Sequence, residues 1–177
     1  MSALTGIWQV LLSEFSDIGD LQEATIIVVR LGLAVALGAA IGYEREQRGK
    51  DAGLRTHMMV SLGAALFVLV PAMGHMGADA ASRVMQGVVS GIGFLGAGAI
   101  LKQTAGQEVK GLTTAASIWV AAAVGVAAGY GREATAVATT LLALFVLAIV
   151  RKLEHPSDPR DEASSAIEIY GEDASKK

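Results

Sequence analysis

The chain has 177 residues, of which 53% are hydrophobic and only 18% charged, with 21 glycines, 3 prolines and no cysteine. Soluble domains carry about a quarter charged residues, so this apolar, glycine-rich composition reads as a membrane protein. The missing cysteine excludes a disulfide framework and thiolate metal sites, and a net charge of −3 without a basic stripe gives nucleic acid no footing.

In chain order, residues 1–23 come first. They lack a basic start and are not read as a cleavable signal. Ile7, Trp8, Leu11, Leu12, Phe15 and Ile18 recur at helical spacing, interrupted by Glu14, Asp17, Asp20 and Glu23. The pattern predicts a short amphipathic helix on the outer surface, with a frayed terminus as the alternative. Five apolar runs follow, at 24–43, 58–76, 84–101, 112–130 and 134–150. A bilayer core of about 30 Å needs roughly 20 helical residues, and only helices satisfy a lipid-facing backbone without closing a barrel. The expected fold is all-α: a polytopic integral membrane protein with five transmembrane helices over 24–150. Residues 151–177 are a short tail, acidic and polar from Pro156 onward, with the composition of disorder.

Charge sets the expected orientation. Arg45, Arg48, Lys50 and Arg55 fill the first loop, Lys102 and Lys110 the third, and Arg151 and Lys152 open the tail. The first 23 residues have no Lys or Arg, and the second and fourth loops carry only Arg83 and Arg132. Lys and Arg collect on the cytoplasmic side, so the N-terminus is expected outside and the C-terminus in the cytoplasm. Five spans agree with that parity.

Gly91, Gly93 and Gly96 fall in the spacing G-x-G-x-x-G. A dinucleotide turn needs a strand before it and an acidic residue about 20 positions on. Here the glycines lie inside an apolar run, and Ala116 and Ser117 stand where the acid belongs, so no nucleotide is expected. As a helix, Gly87, Gly91 and Gly98 share one face, while Gly93 and Gly96 lie opposite. Small residues let helix backbones approach in lipid, which predicts a third span packed between two neighbours at the centre of the bundle. A broken helix or narrow permeation path is the functional alternative. Gly38 and Gly42 form a GxxxG in the first span, and the fourth span is almost all small residues. The larger residues of the fifth suit a lipid-facing helix. Pro71 removes a donor inside the second span and predicts a kink.

Polar groups within or beside the spans are the candidate functional residues. Arg30 lies six residues into the first run, about 9 Å from its start. It either snorkels outward with Glu23 as partner or belongs to a cavity. His75 reads as interfacial. Glu44 and Arg45 follow directly on the first span, while Arg55, Thr56 and His57 lead into the second. Thr56 is expected to cap that helix, leaving free amides beside Arg55 for a lipid headgroup, a phosphate or an acidic partner. Glu44 and Arg55 are expected to pair across the loop. Arg48 and Lys50 fit ordinary lipid contact. No catalytic set and no metal-ligand spacing is visible, so neither an enzyme nor a cofactor is expected.

Four stretches in order carry a resemblance: RLGLAVALGAAIGYERE, AGLRTHMMVSLGAALF, GVVSGIGFLGAGAIL and VKGLTTAASIWVAAAVGVAAGYG. Over about residues 30–131 the chain resembles the MgtC/SapB family of bacterial inner-membrane proteins. The resemblance implies a five-helix membrane domain with a cytoplasmic C-terminus. It also implies a role in virulence, survival in macrophages and growth at low magnesium, exerted as regulation of membrane machinery such as the F-type ATP synthase. The matched positions are Arg30, Gly38, Gly42, Glu44, Arg45, Gly53, Leu54, Arg55, Thr56 and His57. Later come Gly91, Gly93, Phe94, Gly96, Gly98, Gly111, Leu112, Thr113 and Thr114. Long members carry a soluble ACT-like domain after the last span; only 27 residues follow Val150 here, so the chain resembles a short, membrane-domain-only form.

Two functions follow as expectations. The first is a non-enzymatic regulator that docks on another membrane protein or on itself as a homodimer. The second is a small transporter or channel for Mg²⁺, K⁺ or H⁺, lined by Arg30, Gln86, Ser90, Thr113 and Thr114.

Overall fold

The computed structural model describes residues 3–14, 19–74, 77–101 and 110–150. Every regular element in them is helical: α1 (Ala3–Glu14), α2 (Leu21–Gln47), α3 (Leu54–Met73), α4 (Ala78–Leu101), α5 (Leu112–Gly129) and α6 (Glu133–Phe145), with a π-helical turn at Val146–Val150. Residues 1–143 form one compact unit and residues 144–177 a second, to which that turn belongs. The tail expected to be disordered, the His75 reading and residues 15–18 lie outside the described residues.

Four helices, α2 to α5, are long and apolar enough to cross a membrane; the fifth apolar stretch, Glu133–Ile149, is shorter. Helix α2 runs 27 residues, about 40 Å, and outlasts the hydrocarbon core. Its start is set locally. Asp20 accepts from the Glu23 amide at 2.8 Å, and Glu23 reaches back to accept from the Gly19 amide at 2.8 Å. This reciprocal cap satisfies two helix-end donors. Pro71 falls in the last turn of α3, and the helix continues only to Met73. Helix α1 is exposed along its described side chains, Leu4, Ile7, Trp8 and Leu12 among them.

The centre of the first unit is α3, held between α2 and α5. Its buried faces are built from small residues: Ala34 on α2, Ala64 and Ala65 on α3, and Ala121, Ala122 and Ala128 on α5. Ile41, Leu69 and Val124 are the largest apolar side chains wholly enclosed. Two GxxxG pairs set the spacing. A methyl on Gly38 would stand 2.6 Å from the His57 carbonyl oxygen and 2.8 Å from Ser61 Cβ; one on Gly42 would stand 2.7 Å from Leu54 Cα. On the opposite side, a methyl on Gly125 would strike the Ser61 carbonyl oxygen, and one on Gly129 the Ala65 carbonyl oxygen. Backbone meets backbone along both flanks of α3, the close approach that glycine permits in lipid.

This arrangement corrects the expectation that the third span is central. Helix α4 packs on α5 and more loosely on α3, and only 6% of its apolar window is buried, against 50% for α5. Added methyls at Gly87, Gly91, Gly93 and Gly98 would meet nothing within 4 Å; one at Gly96 would touch Ala115 Cβ at 3.7 Å. The physical reason is that small residues permit a close approach without deciding which helix makes it. Phe94, Leu95 and Val89 of α4 are exposed, as are Leu141, Leu142 and Phe145 of α6.

Candidate functional site

The polar groups of the first unit gather at two levels. At the end of the bundle that holds the α2–α3 turn, α2 finishes while α3 and α5 begin. Gly53 is the N-cap residue of α3, with no side-chain cap of its own. Glu46, from the last turn of α2, instead accepts from the Leu54 amide at 2.8 Å. Thr56 is the third residue of α3 and is exposed, so it does not cap the helix, and the first amide beside Arg55 is already engaged. The reason is geometric. The tight turn between α2 and α3 brings a longer carboxylate over the helix end than any local side chain provides.

Glu44 does not pair with Arg55. Its carboxylate lies between the guanidiniums of Arg48 and Arg45, the latter at 3.6 Å. Arg48 is four residues on, one turn along the same face, whereas Arg55 sits on the far side of the turn and is exposed. Arg45 is 2% exposed, so its charge is carried almost entirely inside the protein. A buried guanidinium needs ionic and hydrogen-bonding company, and Glu44 provides part of it.

Below this ion cluster lies a buried line of neutral polar groups. His57 is fully enclosed. Its Nδ1 stands 2.8 Å from the Gly53 carbonyl oxygen, and its Nε2 stands 3.0 Å from Ser117 Oγ on α5. A carbonyl oxygen only accepts, so Nδ1 carries a proton. The Ser117 hydroxyl also lies 2.8 Å from the Thr114 carbonyl oxygen. With a neutral ring, Ser117 donates to Nε2. With a charged ring, Nε2 donates to Ser117, whose own proton then goes to Thr114. One turn deeper, Ser61 donates to the Ala34 carbonyl oxygen at 2.8 Å and ties α3 to α2.

At the opposite level, Arg30 does not meet Glu23, which is occupied at the start of α2. It donates to the Gly129 carbonyl oxygen at 3.3 Å and lies 3.6 Å from the Glu133 carboxylate. Gly129 ends α5 and Glu133 begins α6, so one guanidinium closes the turn between them. Gly131, in the same turn, has φ +78°, and a methyl there would strike the Arg30 guanidinium. The carbonyls at a helix C-terminus carry partial negative charge, which a cation offsets.

Of the residues singled out from sequence, the fold brings His57 and Thr114 together with Gly38 and Gly42 around α3. Glu44 and Arg45 form the adjoining ion cluster. Arg55, Thr56 and Thr113 are exposed. Of the residues read as a transport lining, Gln86, Ser90 and Thr113 are exposed, Thr114 is buried on α5 and Arg30 stands at the turn between α5 and α6. Sequence reading missed Ser61 and Ser117. Their only signal was a hydroxyl inside an apolar run. It also missed the Gly125–Gly129 pair, which stands in the sequence as a second GxxxG. Among the described residues, no three His, Asp or Glu side chains gather as a metal ion would require.

Comparison with known proteins covers this same region. The sequence model of the MgtC family matches residues 31–155. YhiD of Escherichia coli (strain K12), whose name carries the words magnesium transporter, is 43% identical over 134 residues, covering 71% of this chain and 61% of that protein. SrpB of Synechococcus elongatus is 41% identical over 136 residues, covering 71% of this chain and 75% of SrpB. Protein MgtC of Salmonella typhimurium (strain LT2) is 42% identical over 125 residues, covering 71% of this chain and 52% of MgtC. The chain thus spans between about half and three quarters of the curated relatives it matches. No solved structure matches.

Proposed function

Because the chain belongs to the MgtC family, we propose that it is a non-enzymatic regulator in the inner membrane. It acts in magnesium and ion homeostasis by contact with other membrane machinery and does not itself carry an ion. The observation that supports this reading is the seam around α3. Transport needs polar groups that face a water-filled passage or a binding site opened alternately to each side. Here Ser61, and Ser117 with His57, are spent on bonds between helices. The backbones on both sides of α3 also leave no room for a methyl at Gly38 or Gly125. Such a seam leaves the outer face of α4, where Val89 and Phe94 are exposed, for docking.

Magnesium transport is the second reading, suggested by the name of the Escherichia coli relative. One experiment separates the two. Purified protein of checked orientation is placed in proteoliposomes, and fluxes of Mg²⁺, K⁺ and H⁺ are measured. In parallel, the gene is returned to a bacterium lacking its own family member and growing at limiting Mg²⁺. The regulator reading expects restored growth without saturable flux. Saturable flux that is lost in Arg45→Gln or Ser117→Ala, with the fold intact, overturns it.

A further inference from the structure

Between α3 and α4 the protein leaves an apolar groove of about 640 Å³. Met59, Gly63 and Phe67 form one wall, and Gly87, Gly91 and Leu95 the other. We propose that this groove is a binding site for one acyl chain of an anionic phospholipid, whose phosphate is held by Arg55.

Four observations point to this occupant. The first is that the groove is open. Methyls at Gly63, Gly87 and Gly91 would meet nothing within 4 Å, so the two helices do not close on each other where their glycines would allow it. An unfilled gap forfeits dispersion contacts on both walls, and in a bilayer the material at hand to fill it is hydrocarbon. The second is size. The volume lies within the ~300–1,000 Å³ usual for small-molecule sites, and every lining residue is apolar.

The third is length. From Met59 to Phe67 the α3 wall is about 12 Å long, and from Val84 to Leu95 the α4 wall is about 16 Å. One leaflet of a hydrocarbon core of about 30 Å is half that depth. Both walls centre on the middle of their helices, α3 (Leu54–Met73) and α4 (Ala78–Leu101), so the groove takes the distal part of a chain whose headgroup lies at the level of Arg55. The fourth is charge. Arg55 stands one turn before Met59 on the same face of α3, and it is exposed. Helical side chains lean toward the N-terminus of their helix, which carries its guanidinium away from the groove and toward headgroup level. Among the described residues Arg55 has no ion-pair partner: Glu44 is held by Arg45 and Arg48, and Glu46 by the Leu54 amide. A planar guanidinium grips phosphate through two parallel hydrogen bonds.

The test is native mass spectrometry of the full chain, released from mixed micelles containing equal phosphatidylglycerol and phosphatidylcholine. The variants are Arg55→Gln and Gly91→Leu. The parent is expected to keep one phosphatidylglycerol, preferred over phosphatidylcholine by about tenfold, because the choline ammonium offsets its phosphate's attraction to Arg55 while phosphatidylglycerol keeps a net negative charge. Arg55→Gln keeps a lipid but loses the preference. Gly91→Leu, whose side chain enters open space, melts like the parent and keeps neither. Should Gly91→Leu fail to fold, a photoreactive diazirine acyl chain on phosphatidylglycerol is crosslinked to the parent instead. Labelling at Met59 or Leu95 supports the site, and labelling confined to other helices overturns it. Undiminished lipid on folded Gly91→Leu also overturns the proposal. So does a parent dimer that Gly91→Leu converts to monomer, which assigns the groove to a second copy. Glycerol phosphate competing as well as the full lipid overturns it too, by removing the acyl chain from the recognition.

Discussion

Substituting Gly38 with alanine tests the central position of α3 most directly. The new methyl would stand 2.6 Å from the His57 carbonyl oxygen, about 0.8 Å inside the 3.4 Å where ordinary contact begins, and 2.8 Å from Ser61 Cβ. Both neighbours belong to α3, and one is backbone, so neither yields by turning a rotamer. The helices must separate by close to that distance. One turn away, the bond from Ser61 to the Ala34 carbonyl oxygen is now 2.8 Å. The same separation carries it beyond useful hydrogen-bond length. Overpacking costs about 1–3 kcal/mol and the lost hydrogen bond about 1 kcal/mol, while alanine regains about 1 kcal/mol of helix propensity. The expected net loss is about 1–3 kcal/mol, read by thermal unfolding in detergent with tryptophan fluorescence. Gly91→Ala is the control, because its methyl meets nothing, and it should be neutral or slightly stabilising. Gly38→Ala as stable as the parent, or Gly91→Ala as damaging as Gly38→Ala, would refute the placement of α3 at the centre and α4 at the edge.

Three further substitutions probe the polar groups. Ser117→Ala leaves the enclosed Nε2 of His57 without its partner and should cost about 1–3 kcal/mol in the same unfolding assay. Gly131→Ala combines a left-handed backbone with a strike on Arg30; the backbone alone costs about 1–2 kcal/mol. In an Arg30→Ala background only the backbone part should remain, and a double-mutant cycle measures the difference. Glu46→Ala removes the acceptor for the Leu54 amide, so hydrogen exchange should quicken in the first turn of α3, with a loss of about 1 kcal/mol. Glu46→Gln, which keeps a carbonyl oxygen there, should retain most of the protection.

One feature of the site was legible because its cause is local: the Gly38–Gly42 pair announces a close approach through its spacing alone. The reciprocal cap at Asp20 and Glu23 is equally local, but it went unread because Glu23 was assigned to Arg30. Other features were not legible. The pairing of Glu44 was misread because the turn length decides whether Arg48 or Arg55 comes within reach. The partner of Arg30 was misread because Gly129 lies 99 residues away. His57 and Ser117 are 60 residues apart, and nothing in either neighbourhood marks the other.

Hydropathy is a sum along a segment, so the sequence by itself determined the class of protein and the number of apolar stretches. The family followed from four ordered motifs for the same reason: it is a property of the string. Which helix lies at the centre is a property of pairs of surfaces. Helices α2, α4 and α5 all offer small residues, and a small residue is compatible with a buried seam, a lipid face or an open groove. Only the tertiary structure decided among them, by setting the backbones of α2 and α5 against the two flanks of α3 and leaving the glycines of α4 uncovered.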